Sequence, residues 1–396
     1  MATVVPVSRA LRVAVVTESF LPQVNGVTNS VCRVREHLDR RGHDALLIAP
    51  SGGLADPGPS SYAGYRVLRT PSAPLPLYPE FRVAMPWTRL ASVLREYRPD
   101  VVHLADPTVL GAQAARIAAR LGVPSVAIYQ TDLAGYCARY GFVTAERAAW
   151  RWRARVHALA GRTLAPSRSA EEALCAQGVR NVHRWVRGVD AVRFDPAHRS
   201  DDLRAQLAPN GEVIVGYVGR LAAEKQVHQL EAVMDLPGVR VVIVGDGPTR
   251  SALERRLPRA QFLGFLGGTE LSTAYASLDM FVHTGADETF CQAAQEAKAS
   301  GLPVVAPAAG GLLDLVDPGR TGLLYRPDDV AGLRAAVATL ADDEAMRTRM
   351  GLAARRSIAG RDWESVGDEL IEHYAATCGR TPLRTRGTGR ETGAAA

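Results

Sequence analysis

The sequence predicts an α/β protein of two doubly wound, parallel-sheet domains facing each other across a cleft, and three observations carry that prediction. Short, almost wholly apolar runs alternate with helical patterns in both halves of the chain, as expected of strands buried on both faces of a parallel sheet. The series stops and restarts near Gly188, and 396 residues leave room for two such units. Polar and glycine-rich segments follow the strand ends, where ligands collect in folds of this kind.

Each element follows from its local pattern. Arg12–Thr17 has the length of a buried strand, and the helical periodicity from Thr28 to Arg41 stops at Gly42, a residue suited to closing a helix. Asp44–Ala49 is the next strand, ended by Pro50. Residues 51–84 are rich in Gly, Pro and Ser and read as irregular, except for a strand at Tyr65–Arg69. Asp100–Leu104 and Ser125–Tyr129 are further strands, separated by the helix Leu110–Leu121, and Arg147–Ala160 is a strongly basic helix. In the second unit Val213–Val218, Val239–Val244, Met280–His283 and Pro303–Ala306 read as parallel strands, each followed by a helical pattern. A hinge falls near Arg187–Asp195, and Asp362–Thr377 is a last amphipathic helix carrying Trp363 and Tyr374. The expected boundaries are 1–187 and 188–360 for the two domains and 361–378 for the C-terminal helix. Residues 379–396 form an Arg/Thr/Gly-rich tail with the composition of a disordered segment.

Composition excludes several classes. With 47% hydrophobic and 22% charged residues, the chain reads as an ordinary globular protein, and no apolar run reaches the ~20 residues that span a bilayer. Met1–Arg12 lacks the layout of a signal peptide, so export is not expected. Cys32, Cys137, Cys175, Cys291 and Cys378 are scattered and form no C-x-x-C pair, which points to reduced thiols in a cytoplasm and away from a structural zinc site. Residues 1–186 hold 23 Arg, no Lys and 13 acidic residues, a net of +10, whereas the remainder carries −4. The basic half suits a membrane surface or a polyanion, while the acidic half argues against wrapping nucleic acid. Lys225 and Lys298 are the only lysines, so a lysine beside a candidate phosphate site stands out.

The most informative stretch is Asp287-Glu288-Thr289-Phe290-Cys291-Gln292-Ala293-Ala294-Gln295-Glu296. Two carboxylates eight residues apart around a strand-to-helix turn lie up to ~12 Å apart at ~1.5 Å per helical residue. That suits opposite ends of a nucleotide sugar better than one shared proton-transfer site. The N–H groups of Phe290, Cys291 and Gln292 at the helix start would attract an anion between them. On spacing alone, an amphipathic helix with two solvated glutamates fits equally well.

Other segments add chemistry with differing specificity. Gly219-Arg220-Leu221-Ala222-Ala223-Glu224-Lys225 follows a strand end. Arg220 can fork onto phosphate oxygens and Lys225 adds a point charge, as a diphosphate leaving group requires; the plain alternative is two surface cations. Gly245-Asp246-Gly247-Pro248 allows a sharp turn and close ligand approach, but it is not the G-x-G-x-x-G fingerprint. Gly26, in Gln23–Thr28, would let backbone approach a ligand, or Asn25-Gly26 is only a tight turn. Gln130 and Asp132 follow another strand end, with Tyr136, Arg139 and Tyr140 beyond. Asp132 either accepts a proton from an acceptor hydroxyl or caps a helix. The basic helix around Arg147, Arg151, Trp152, Arg153 and Arg155 docks on an anionic membrane or is a solvated face. There is no D-x-D pair to hold a divalent ion on a diphosphate, no G-x-x-x-x-G-K-[ST] loop and no G-x-S-x-G elbow.

In combination, Gly219–Lys225, Gly245–Pro248 and the E-x7-E pair followed by Ala299–Val305 resemble the retaining glycosyltransferases of family 4, which have the two-domain GT-B fold. The likeness covers about residues 10–378. Thr17-Glu18-Ser19-Phe20-Leu21-Pro22 with Val24-Asn25-Gly26-Val27, and the Glu288–Gln292 form, are similar to the GDP-mannose-dependent α-mannosyltransferases that elongate glycolipids and to sulfoquinovosyl-lipid synthases. The resemblance implies two Rossmann-like domains, the first binding acceptor and the second a nucleotide-sugar donor, with the Trp363 helix crossing back to brace the first. It implies that Arg220 and Lys225 bind the diphosphate, Glu288 the donor sugar and Glu296 the ribose. Phe290, Cys291 and Gln292 would lend N–H groups, Gly26 would approach the phosphate, and Leu266 within Gly264–Gly268 would border the base. Gln130 stands where many relatives place a histidine near the donor sugar, so the catalytic candidates are Glu288, Arg220, Lys225, Asp132 and Gln130. No cofactor and no metal ion are implied. The expected reaction moves a hexose, mannose from GDP-mannose, to an acceptor hydroxyl of a glycolipid. The expected location is cytoplasmic, at the inner face of the plasma membrane. Rival readings are a UDP-sugar donor (sulfoquinovosyl or N-acetylglucosaminyl), a nucleotide-sugar 2-epimerase, and an inert sugar-nucleotide-binding protein.

Overall fold

A computed structural model describes residues 10–23, 25–53, 56–75, 78–130 and 143–379. Its first sheet uses β1 (Arg12–Val16), β2 (Asp44–Pro50), β3 (Ser61–Tyr62) and β4 (Tyr65–Thr70). A separate antiparallel hairpin, β5 (Ser72–Leu75) and β6 (Tyr78–Ala84), follows. β7 (Val101–Leu104), β8 (Ser125–Ile128), β9 (Arg162–Ala165) and β10 (Val182–Arg184) complete the sheet in the order β10-β9-β8-β7-β1-β2-β4-β3. All pairings are parallel except β3 with β4. The second sheet contains β11 (Val213–Val218), β12 (Val239–Val244), β13 (Gln261–Gly264), β14 (Met280–Val282), β15 (Val304–Pro307) and β16 (Gly322–Tyr325), ordered β13-β12-β11-β14-β15-β16.

Burial explains the apolar runs. β1, β7, β8 and β11 are buried along nearly their whole length, with helices covering both faces of each sheet, the arrangement that parallel pairing requires. Outside residues 51–84, four strands are not predicted from the sequence. β10 and β13 are short sheet edges and only partly buried, so they lack an apolar run; β9 opens on Arg162 and β16 on Gly322. The 51–84 stretch is less irregular than its composition suggests. Arg82 ties β6 to β5 by donating from Nε to Ser72 Oγ and from Nη2 to Ser72 O, both at 2.9 Å. The expected helix after β11 is instead two 3₁₀ segments, Ala223–Lys225 and Val227–Val233, broken by Gln226 at φ +50°.

The Trp363–Thr377 helix, capped by Asp362 onto the Ser365 N–H at 2.7 Å, returns to the first sheet. Val366, Leu370 and Tyr374 enter its core, each contributing about 1.5–3 kcal/mol by burial. Tyr374 Oη sits 2.6 Å from His103 Nδ1, Trp185 Nε1 donates to Val366 O at 2.9 Å, and Asp368 lies 2.9 Å from His37 Nε2. Trp363 packs so closely on Gly188 that a Cβ there would come within 2.8 Å. Of the tail, only Gly379 falls within the described residues.

Candidate active site

Strand order decides which loops meet. β11 lies between β12 and β14, and β1 between β2 and β7; these are the reversal points beside which doubly wound sheets open a crevice. The segments after β11 and β14 therefore share one site. Thr284 Oγ1 donates to Lys225 O at 2.6 Å and Lys225 Nζ donates to Glu288 Oε1 at 2.6 Å. The resemblance implies Lys225 on a diphosphate and Glu288 on a sugar; here the two groups are paired. Arg220, half exposed, likewise pairs with the buried Glu224.

The Gly245–Pro248 turn serves this loop. A Cβ on Gly245, at φ +133°, would lie 1.9 Å from Gly219 O. Leu221 N donates to Asp246 O at 2.9 Å and Thr249 N to Leu221 O at 3.0 Å. The absent side chain thus lets two backbones touch.

His283 was not among the sequence candidates. Its ring is buried and stacks on Tyr217 at 6.1 Å, and Nε2 lies 2.9 Å from Glu288 Oε1. The two are out of hydrogen-bond alignment. Burial pushes the Glu288 carboxyl up, but Lys225 and His283 outweigh it and hold the group well below the ordinary carboxylate range. Burial lowers His283, yet Cys291 and Glu288 raise it to about 9. His283 nitrogen, Glu288 oxygen and Cys291 sulfur lie within 4.8 Å of one another, a donor set the D-x-D search does not see, although Lys225 already places a cation on Glu288.

Cys291 precedes the Gln292–Ala299 helix at φ +77°, a conformation that costs a residue with a β-carbon about 1–3 kcal/mol. Surrounding backbone holds the turn: Gly311 N donates to Glu288 O at 2.7 Å. A Cβ on Gly311 would fall 2.5 Å from Phe290 Cα and 2.7 Å from Phe290 N. Among the described residues, Phe290, Cys291 and Gln292 donate no backbone hydrogen bond.

Glu296, on the helix, accepts from Tyr275 Oη at 3.3 Å. Burial raises its carboxyl to about 7 against Tyr275 and Arg193. Leu266 packs into the second-sheet core, whereas its neighbour Phe265 is 69% exposed.

The first sheet closes the site. Gly26 opens the Gly26–Arg40 helix, capped by Asn25 onto Val27 N and Thr28 N at 3.0 and 2.9 Å. Gly26 O accepts from Arg187 Nη1 at 3.1 Å. Gln130 donates to Ala105 O and accepts from Arg187, so its amide is engaged at both ends. Its backbone carbonyl accepts from Thr289 Oγ1 at 2.9 Å, linking the two sheets. Asp132, Tyr136, Arg139 and Tyr140 lie outside the described residues. A cavity of about 280 Å³ past the ends of β1 and β2 is lined by Glu18, Gln23 and Arg82 among others. Glu18 accepts from Gly111 N at 2.9 Å, and burial raises its carboxyl to about 7. On the basic helix, now Val143–His157, Arg147, Arg151, Trp152 and Arg155 are exposed. Arg153 turns inward, its guanidinium 4.8 Å from the Tyr129 ring, so it leaves the basic face. Among the described residues no helix is long and apolar enough to cross a membrane.

His283 could have been found as the terminal residue of the Met280–His283 run, and Gly310-Gly311 as a pair following β15. Arg187 carries no such signal, because only the fold brings it to Gly26 and Gln130.

Comparisons with known proteins agree with this geometry. The family described as Glycosyltransferase Family 4 matches residues 24–193, and Glycosyl transferases group 1 matches 199–357. A GDP-mannose-dependent alpha-mannosyltransferase of Mycobacterium tuberculosis is 51% identical over 93% of this chain and 98% of its own length. The sulfoquinovosyl transferase SQD2 of Arabidopsis thaliana is 34% identical over 93% and 74%. In fold, the chain matches Anabaena HepE, solved with UDP and glucose, at a TM-score of 0.74 and 20% identity over 92% of this chain and all of the other. Sucrose-phosphate synthase of Thermosynechococcus elongatus matches at 0.75 and 21% over 92% and 98%. The architecture is GT-B, and the chain belongs to the family 4 glycosyltransferases.

Proposed function

We propose that this enzyme transfers mannose from GDP-mannose to an acceptor hydroxyl with retention of anomeric configuration. The near-full-length identity to GDP-mannose-dependent alpha-mannosyltransferases carries the donor assignment. The carboxylate, two cations and open helix start around the β11/β14 crevice support the chemistry. Glu288, oriented by Lys225 and His283, holds donor-sugar hydroxyls so that the acceptor oxygen meets the anomeric carbon. Arg220, Lys225 and the N–H groups of Phe290, Cys291 and Gln292 take the charge that develops on the departing phosphate, with Gly26 approaching from the other side. That phosphate accepts the acceptor's proton on the same face. Glu296 receives the ribose, and the Gly264–Gly268 segment borders the base. The proposed reaction uses no metal ion.

The cavity lined by Glu18 and Arg82 is the proposed acceptor side. The exposed face of Arg147, Arg151, Arg155 and Trp152 fits docking on an anionic membrane that carries a glycolipid acceptor; sedimentation with anionic and neutral liposomes tests this, and equal binding to both would remove it. A UDP-sugar donor, moving a sulfoquinovosyl or N-acetylglucosaminyl group, is the second reading, and the chain is 34% identical to a sulfoquinovosyl transferase. Thermal-shift measurements against GDP, UDP, ADP and their sugars decide, because a ligand bound to the folded state raises the melting temperature. GDP and GDP-mannose should give the largest shift; a shift with UDP alone overturns the mannosyl assignment. Donor consumed to an epimer without acceptor would point to the 2-epimerase instead.

A further inference from the structure

Arg187 is 7% exposed at the junction of the two sheets. Burying a cation costs several kcal/mol unless a counter-charge or a full set of acceptors meets it. A guanidinium carries five N–H donors. Among the described residues, Arg187 donates only to Gly26 O and to Gln130 Oε1, both neutral, and it forms no ion pair. Burial lowers its pKa to about 10, while Asp106 and Glu288 pull it back up through space. Its backbone is fixed from the second sheet, since Gln295 Nε2 donates to Arg187 O at 2.9 Å and Gln292 Nε2 to Gly188 O at 3.1 Å.

Among the described residues the guanidinium is therefore met by neutral acceptors alone, beside the N-terminus of the Gly26–Arg40 helix and within the field of Glu288. We propose that Arg187 is a substrate-binding residue that supplies a third cation to the donor's diphosphate, from the side opposite Arg220 and Lys225. The inference rests on the nucleotide-sugar reading above. It also gives Gln130 a role: its amide, anchored on Ala105 O, aims the guanidinium instead of touching sugar. Arrival of the diphosphate adds a charged partner to neutral hydrogen-bond acceptors, so donor binding and the seating of the two sheets are coupled through a single side chain.

Calorimetric titration of the full chain and of its Arg187→Met and Arg187→Lys variants with GDP and with guanosine tests this. The Met variant should lose about 10- to 100-fold in GDP affinity, the range of one charged hydrogen-bonded contact, with guanosine affinity unchanged; the Lys variant should retain part of the loss-free affinity. Equal losses for GDP and guanosine would mark a purely structural residue and overturn the proposal. GDP affinity within twofold of the parent, with only the acceptor KM raised, would assign the anion to the acceptor and overturn it as well. If the Met variant does not fold, the GDP-to-guanosine affinity ratio of Arg187→Lys and Arg187→Gln gives the same decision. Should the parent bind a different nucleoside diphosphate, the GDP assignment fails, and the same comparison with that diphosphate and its nucleoside still tests Arg187.

Discussion

Glu288 and Glu296 stand eight residues apart, yet one is held ionised and the other is raised until it titrates near pH 7. Glu288 sits on a turn between β14 and the Gln292–Ala299 helix, where Lys225 and His283 converge on one oxygen. Glu296 sits on the helix itself, and its nearest partner is the phenol of Tyr275. Both are desolvated, so burial alone would raise both. The supply of cations separates them, and that supply comes from β11 lying beside β14. Sequence spacing measures how far apart the two groups can be; strand order decides what each one is.

The strongest way to break this contrast is to remove the charged end. Glu288→Ala should lower turnover about 10³-fold, while GDP affinity changes less than about threefold, because the lost contact acts on the reacting sugar. Unchanged turnover would sink the role. Gly311→Ala attacks the same end through backbone. Its Cβ would meet Phe290 Cα at 2.5 Å, and backbone cannot swing aside, so turnover should fall about 10- to 100-fold with a stability loss of about 1–3 kcal/mol. Guanosine binding, which samples only the Glu296 end, should stay at the parental value.

Glu296→Gln sharpens the other half. A free carboxylate accepts two ribose hydroxyls, so GDP affinity of the parent should rise about tenfold between pH 6 and 8 and become nearly flat in the variant. Stability runs the opposite way. The folded carboxyl titrates near 7 and the unfolded one near 4.5, so between those values the folded chain holds more protons. The stabilisation is complete below the unfolded pKa and is lost as pH rises through the folded one. Denaturant melts of parent and variant should diverge by about 3 kcal/mol across that window; parallel curves would show that Glu296 titrates normally. The smallest effect is expected from Phe265→Ala, which removes an exposed ring beside the base segment. GDP affinity should weaken about fivefold, at the low end of base–aromatic stacking.

Much of this was legible in the sequence, and the reasons differ by residue. Val13–Val16 and Val215–Val218 announce buried strands because both their faces are covered. β10 and β13 announce nothing, since an edge strand needs neither apolar face. Glu288, Lys225 and Arg220 could be named because strand-end motifs report their own position. His283 and Gly311 act on those residues from just beyond β14 and β15, and although each sits at a legible strand end, only the fold ties them to the turn. Tertiary contacts add most at Leu266 and Gln130: Leu266 is partly buried against the core while Phe265 stays outside, and Gln130 is occupied by a guanidinium 57 residues away.

By itself, the sequence determined two parallel sheets, the crevice-facing segments and the chemistry available there, because apolar runs and strand-end residues are local properties of the chain. Only the tertiary structure decided which charges meet. Lys225 pairs with Glu288 because β11 hydrogen-bonds to β14, and Arg187 faces Gly26 and Gln130 because the junction between the sheets brings it there. Electrostatic energy depends on distance through space and on desolvation, and neither quantity is written in the order of residues.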